Sequence, residues 1–215
     1  EGKLQALGQE LESAPLSGCI GIGHTRWATH GPAIEANAHP HRSEHVAVVH
    51  NGIIENYRDL KQQLVADGAE FTSDTDTEVI AHLFSQKLKA KDDVMAAAAA
   101  TFAALEGAYA IALIVEGLED RMIIARNGSP LAIGYGRGEM FIGSDAFALA
   151  PFTNRIAYLD DGDWAVISGT GAEIFAADGS GVTRAQVVVD AASAMVDKGN
   201  YRHFMSKEIH EQPEV

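Results

Sequence analysis

A chain of 215 residues is enough for one large domain or two small ones, and 47% hydrophobic against 21% charged residues is ordinary for a globular protein with a buried core. A formal net charge of −14 makes nucleic-acid phosphate and anionic lipid poor partners. Cys19 is the single cysteine, which excludes an intrachain disulfide and suits a reducing cytoplasm.

No apolar run reaches the ~20 residues of a membrane-spanning helix; the longest, Val94 to Leu105, is mostly alanine. Glu1-Gly2-Lys3 shows neither a methionine nor a signal peptide, and the ends read as those of a fragment cut on both sides. Leu4, Leu7 and Leu11 at helical spacing predict a short opening helix, closed by Pro15 and Gly18. Cys19 to Gly23 alternates with glycine and reads as a strand or tight turn, with Cys19 as a small buried hydrophobe rather than a nucleophile. A stretch dense in histidine follows (His24, His30, His39, His41, His45, His50), and Gly31, Pro32 and Pro40 mark it as mainly loop.

Val46 to Val49 predicts a buried strand ending at the turn dipeptide Asn51-Gly52. Tyr57 to Asp67 reads as a helix stopped by Gly68. Thr75 followed by Glu78 has the spacing of a capping box, opening a helix whose Val79, Ile80, Leu83, Phe84 and Leu88 share a face. A further helix over Val94 to Leu105 ends at Gly107. Seven short strand-like runs come next, at Tyr109–Val115, Arg121–Ala125, Leu131–Tyr135, Met140–Ile142, Arg155–Leu159, Trp164–Ser168 and Glu173–Ala176. They predict an antiparallel meander and an α+β class in which helices cover sheet faces.

Local chemistry leaves several alternatives open. Arg26, in the run His24 to Gly31, offers the planar donor fork that clamps a carboxylate; the plain alternative is a surface arginine beside a packed tryptophan. The Asn51 amide and Gly52 N–H could face one developing oxyanion, each donor worth ~3 kcal/mol, or the pair could be a type I′ turn. Asp76 could hold an ammonium group or serve the helix N-terminus, whereas Asp74 reads as a helix-capping acid. His39, His41 and His45 lack the accompanying cysteines of a zinc site, and no metal is expected.

Three motifs combine these residues: His24-Thr-Arg-Trp-Ala-Thr-His-Gly31, His50-Asn-Gly-Ile-Ile-Glu-Asn56 and Ser73-Asp-Thr-Asp-Thr-Glu78. They resemble class II glutamine amidotransferases, in the branch that makes glucosamine 6-phosphate from fructose 6-phosphate and glutamine. Gly128-Ser-Pro-Leu131 and the tail from Tyr201 to Pro213 extend the resemblance over nearly the whole chain.

The resemblance implies an N-terminal nucleophile hydrolase-like fold, a four-layer αββα sandwich lacking its N-terminal segment. Residues 1–195 would be the glutaminase domain, and 196–215 a linker toward an absent sugar isomerase domain. Arg26 is implied to bind the glutamine α-carboxylate and Asp76 its α-ammonium, with Asn51 and Gly52 as the oxyanion hole. Thr29 and His30 would line the glutamine loop, Trp27 the passage for ammonia; His39 matches a family position without a role.

The family's nucleophile is a cysteine at the mature N-terminus. These residues do not contain it, Cys19 falls at a different position, and the chain by itself is expected to be inactive. The implied partners are glutamine, fructose 6-phosphate at the isomerase domain and a second copy in a homodimer, with no cofactor, nucleic acid or membrane. The competing readings are another class II amidotransferase, such as one acting on phosphoribosyl pyrophosphate, and a non-catalytic glutamine-binding module.

Overall fold

The computed structural model describes residues 4–26 and 30–189. Helix α1 (Leu4–Ser13) opens the chain as its spacing predicts, with Leu7 and Leu11 exposed. Residues 19–23 form no strand. Ile20 and Ile22 turn inward while Cys19 and the flanking glycines face out, so the alternation is real but Cys19 is exposed rather than buried.

The histidine-dense stretch is more ordered than a loop. It holds a single turn of 3-10 helix (Glu35–Asn37) and strand β1 (His41–Ser43), which folds back on β2 (Val46–Ile54). Strand β2 runs straight through Asn51-Gly52, where the sequence suggested a turn. It pairs with β3 (Gly107–Val115) over nine consecutive residues, from Val46↔Val115 to Ile54↔Gly107. Gly52 fits because its φ of +128 brings the backbone against β3 where no Cβ has room.

Helices α2 (Tyr57–Ala66), α3 (Glu78–Lys91) and α4 (Val94–Phe102) match the apolar spacing. Val79, Ile80 and Phe84 of α3 are fully buried. The Thr75–Glu78 capping box does not form: the Glu78 carboxylate reaches back past Thr75 to the N–H groups of Thr72 and Ser73.

The remaining strands are β4 (Arg121–Asn127), β5 (Ala132–Tyr135), β6 (Met140–Gly143), β7 (Arg155–Tyr158), β8 (Trp164–Ser168), β9 (Gly171–Phe175), β10 (Gly181–Val182) and β11 (Gln186–Val188). They divide between two antiparallel sheets instead of one meander. A seven-stranded sheet is ordered β1-β2-β3-β4-β8-β9-β10, and a four-stranded one β11-β7-β5-β6. The split follows from which faces are apolar. Even-numbered residues of β2, such as Val48 and Ile54, join Ile111, Leu113 and the helix residues Ile80 and Phe84. Val49, on the opposite face, packs with Ala112, Ile124 and Ile167 against Ile133 and Leu159 beneath the second sheet. The short α5 (Ala146–Leu149) covers the outer side of that sheet. A sheet that is apolar on both faces needs a layer on each, and the result is an αββα stack.

Candidate active site

The end of β2, the segment leading into α3 and the side chains of His24, Arg26, His30 and His39 enclose a cavity of about 260 Å³. Its lining includes His24, Arg26, His30, Asn51, Gly52 and Asp76. A larger groove of about 630 Å³, beside Cys19, Arg42 and Glu116, shares none of these residues. The smaller cavity is the one where the chemistry converges, because it holds a buried acid, an arginine and oriented amide donors.

Asp76 is 3% exposed. Its Oδ2 accepts the Ile54 N–H at 2.8 Å, tying it to the end of β2, and its Oδ1 faces His30 Nδ1 at 3.5 Å. A carboxylate so buried is costly without a cationic or hydrogen-bonding partner, which makes its free oxygen a strong acceptor toward the cavity. Arg26 has φ +54, and its guanidinium donates to the carbonyl oxygens of Pro32 (3.0 Å), His30 (3.1 Å) and Gly31 (3.4 Å). That grip sets where the arginine lies at the cavity wall and leaves part of its five-donor fork uncommitted.

Asn51 and His50 are neighbours in β2 and therefore point to opposite faces of the sheet. The Asn51 Oδ1 meets His24 Nε2 at 2.7 Å, and its Nδ2 donates to Ser144 Oγ at 3.1 Å at the end of β6. His50 turns toward the helices, where its Nδ1 lies 3.0 Å from Thr77 Oγ1; His39 Nε2 lies 3.2 Å from the same hydroxyl. A hydroxyl has one proton, so it donates to at most one imidazole and accepts an N–H from at least one of them.

A second directed chain ends on Glu78. The Ser73 hydroxyl donates to the carboxylate at 2.7 Å, Thr75 Oγ1 lies 3.0 Å from Ser73 Oγ, and His41 Nε2 lies 3.1 Å from Thr75 Oγ1. The carboxylate only accepts, so Thr75 donates to Ser73 and His41 donates to Thr75. Asn37, fully buried, bridges the two sides of the cavity: its Oδ1 accepts the Asp74 N–H at 2.9 Å and its Nδ2 donates to the Pro32 carbonyl at 3.1 Å.

Burial, reinforced by the positive fields of His24 and His41, pushes His39 down to about 3. Burial also pushes His50 down to about 4, against the pull of Asp76. Both rings are thus neutral at physiological pH. As pH falls below the free value of 6.5, the unfolded chain takes up protons that the folded domain refuses. Stability present above pH 6.5 is therefore lost as pH drops toward the folded values. Between pH 6.5 and about 5 the melting temperature should decline, and His39→Gln should make that decline shallower. A wild-type profile that is flat over this range would contradict the assignment.

A family model for the glutamine amidotransferase domain matches residues 24–151, which include every lining residue of this cavity. The chain belongs to the glutamine amidotransferase domain family. The amidotransferase domain is 58% identical over all 215 residues to the glutamine–fructose-6-phosphate aminotransferase (isomerizing) of Mesorhizobium japonicum, and 53% identical to that of Bartonella quintana. It spans 35% of the length of each of these relatives. In structure it is similar to the glutamine phosphoribosylpyrophosphate amidotransferase of B. subtilis complexed with ADP and GMP. That likeness has a TM-score of 0.60 at 29% identity and covers 72% of this chain and 34% of the other. The stack of layers is accordingly the αββα sandwich of the N-terminal nucleophile hydrolases.

Five of the residues singled out from the sequence, Arg26, His30, Asn51, Gly52 and Asp76, line one cavity. Trp27 and Thr29 lie outside the described residues, as does the tail from Tyr201. Cys19 is on the other groove. Sequence reasoning passes over the supports: Asn37 and Ser144 fit no motif, and within the third motif Thr77 carries no assigned role and Glu78 reads only as half of a capping box.

Proposed function

We propose that this domain hydrolyses the side-chain amide of glutamine, and that in the longer protein the ammonia aminates fructose 6-phosphate to give glucosamine 6-phosphate. The observation behind this reading is the buried Asp76 carboxylate, which shares a 260 Å³ cavity with Arg26 and the Asn51-Gly52 pair. A buried acid and an arginine on the wall of one small pocket suit the α-ammonium and α-carboxylate of a free amino acid, and the Asn51 and Gly52 amides suit its reacting carbonyl.

In this reading Asp76 receives the α-ammonium and Arg26 the α-carboxylate. Thr29 and His30 belong to the loop that covers the substrate and Trp27 to the passage for ammonia, within a glutaminase domain of residues 1–195 linked by 196–215 to an isomerase domain. A thiolate, from a cysteine outside these 215 residues, adds to the amide carbon. The carbonyl oxygen gains negative charge, which the Asn51 amide and the Gly52 N–H stabilise. The C–N bond then breaks, ammonia leaves with a proton from the cysteine's own amino group, and water cleaves the thioester to glutamate and thiol. No cofactor enters this sequence. The relatives' names support fructose 6-phosphate as acceptor at 53–58% identity, and the 29% similarity to a phosphoribosylpyrophosphate enzyme makes that sugar the competitor to test.

The test uses the full-length protein, incubated with glutamine and either sugar phosphate. Glucosamine 6-phosphate formed only with fructose 6-phosphate is the expected result; an aminated product from phosphoribosyl pyrophosphate alone would replace this reading with the other. The isosteric Asp76→Asn keeps an acceptor for Ile54 but removes the charge, so the KM for glutamine should rise on the order of 100-fold with a smaller change in kcat. An unchanged KM would remove Asp76 from the binding site.

A further inference from the structure

We infer that His24 is a positioning residue that orients the Asn51 amide for oxyanion stabilisation and, through its other ring nitrogen, holds Arg26 in its binding conformation. The inference rests on the glutaminase reading above. His24 Nδ1 accepts the backbone N–H of Arg26 at 2.8 Å. A backbone N–H can only donate, so Nδ1 carries a lone pair and the ring proton is on Nε2. Nε2 therefore donates to Asn51 at 2.7 Å, which identifies the atom it meets as the carbonyl oxygen of that amide. The opposite end of Asn51 is then the NH2 group. One of its hydrogens goes to Ser144 Oγ at 3.1 Å, and the second is free for the cavity that Asn51 lines.

The orientation matters because the two faces of an amide are opposites. With His24 in place the cavity meets a donor; a 180° flip would present an oxygen to the developing oxyanion and turn attraction into repulsion. The same ring restrains Arg26, a non-glycine residue at φ +54, a conformation that persists only where its surroundings hold it. His24 is itself held, packed against His39 with ring centroids 4.2 Å apart and planes tilted by 35°, and His39 is fastened to Thr77. One side chain thus connects the proposed carboxylate clamp to the proposed oxyanion donor. A packing role alone would account for the ring contact but not for two hydrogen bonds whose directions are both fixed.

The two ring nitrogens can be tested separately in the full-length protein, because asparagine places its carbonyl near the position of Nδ1 while glutamine places its amide nitrogen near that of Nε2. His24→Asn keeps the acceptor for Arg26 and loses the donor to Asn51. Its kcat for ammonia release should fall by about 10- to 100-fold, with the glutamine KM within about threefold of wild type. His24→Gln should show the reverse, a KM raised by about tenfold with kcat nearly retained. In an Asn51→Ala background, His24→Asn should cost no further kcat, since the group it orients is gone.

An unaltered kcat in His24→Asn would overturn the assignment. So would parallel losses of kcat, KM and melting temperature in both variants, the mark of a purely structural residue. Wild-type protein that releases no ammonia from glutamine would instead overturn the functional reading, a different result from active wild type with inert His24 variants.

Discussion

Gly52→Ala is expected to leave little folded protein. The new Cβ would collide with the carbonyl oxygen of Ala108 and lie 2.8 Å from its carbonyl carbon and 2.9 Å from Tyr109 Cα. All three atoms are backbone of β3, so no side-chain rotation relieves the clash. The residue also has φ +128, which disfavours any side chain. Relief requires β2 and β3 to separate, and these are neighbouring inner strands of the seven-stranded sheet. A cost of at least ~4 kcal/mol is a large part of the 5–15 kcal/mol that holds a typical domain together. The expected readout is a melting temperature lowered by about 10 °C or more, or loss of soluble protein. Gly117→Ala is the control: Gly117 also has positive φ, +87, but nothing lies within 4 Å of its would-be Cβ. It should cost only about 1 kcal/mol. Equal losses in the two variants would show that φ rather than the collision decides.

Glu78→Gln should destabilise the domain by about 3–5 kcal/mol at neutral pH. Glu78 is 1% exposed. Its Oε1 accepts from the Thr72 N–H at 2.9 Å and the Thr72 hydroxyl at 3.0 Å, and its Oε2 from the Ser73 N–H and hydroxyl, both at 2.7 Å. Glutamine would turn one of those ends into a donor facing two donors. Burial alone would raise the Glu78 pKa, but His82, whose Nε2 lies 3.6 Å from the carboxylate, and the hydrogen bonds from Ser73 and Thr72 overcome it and hold the carboxyl well below the usual range. A depressed folded value means that the stabilisation is complete above the unfolded value of about 4.5 and is lost as pH falls below it. The gap between wild type and Glu78→Gln in urea denaturation should therefore be widest near pH 7 and shrink below pH 4.5. A gap independent of pH would mean that Glu78 contributes by shape rather than charge.

Helices α2, α3 and α4 were legible because each has an apolar face at helical spacing and a clear stop, as at Gly68. The strands were legible singly, since turn residues bound them, but not their division into two sheets, which depends on pairing between residues far apart in the chain. Asn51-Gly52 was misplaced for a related reason: the local turn preference of the dipeptide is overruled by nine residues of pairing with β3. Arg26 and Asp76 stood out as charges in motifs, yet local chemistry left Asp76 undecided between an ammonium site and the helix-capping role that suits Asp74. The structure separates them by burial, for Asp76 points into the cavity while Asp74 packs at the rim against Asn37. His24, Asn37 and Thr77 act through partners 27, 37 and 38 residues away, and such partnerships leave no periodic trace.

The alternation of His50 and Asn51 along β2 makes the site a register check on its own sheet. A slip of one residue against β3 would exchange their faces, sending the imidazole toward Ser144 and burying the amide under the helices. A slipped sheet could bury nearly as much apolar surface, because Val48 and Val49 are both hydrophobic, but it would not present the Asn51 amide to the cavity. Errors of this kind yield silent molecules rather than weak ones. On the proposed function, the specific activity of refolded full-length protein therefore counts the molecules whose β2 and β3 are correctly aligned.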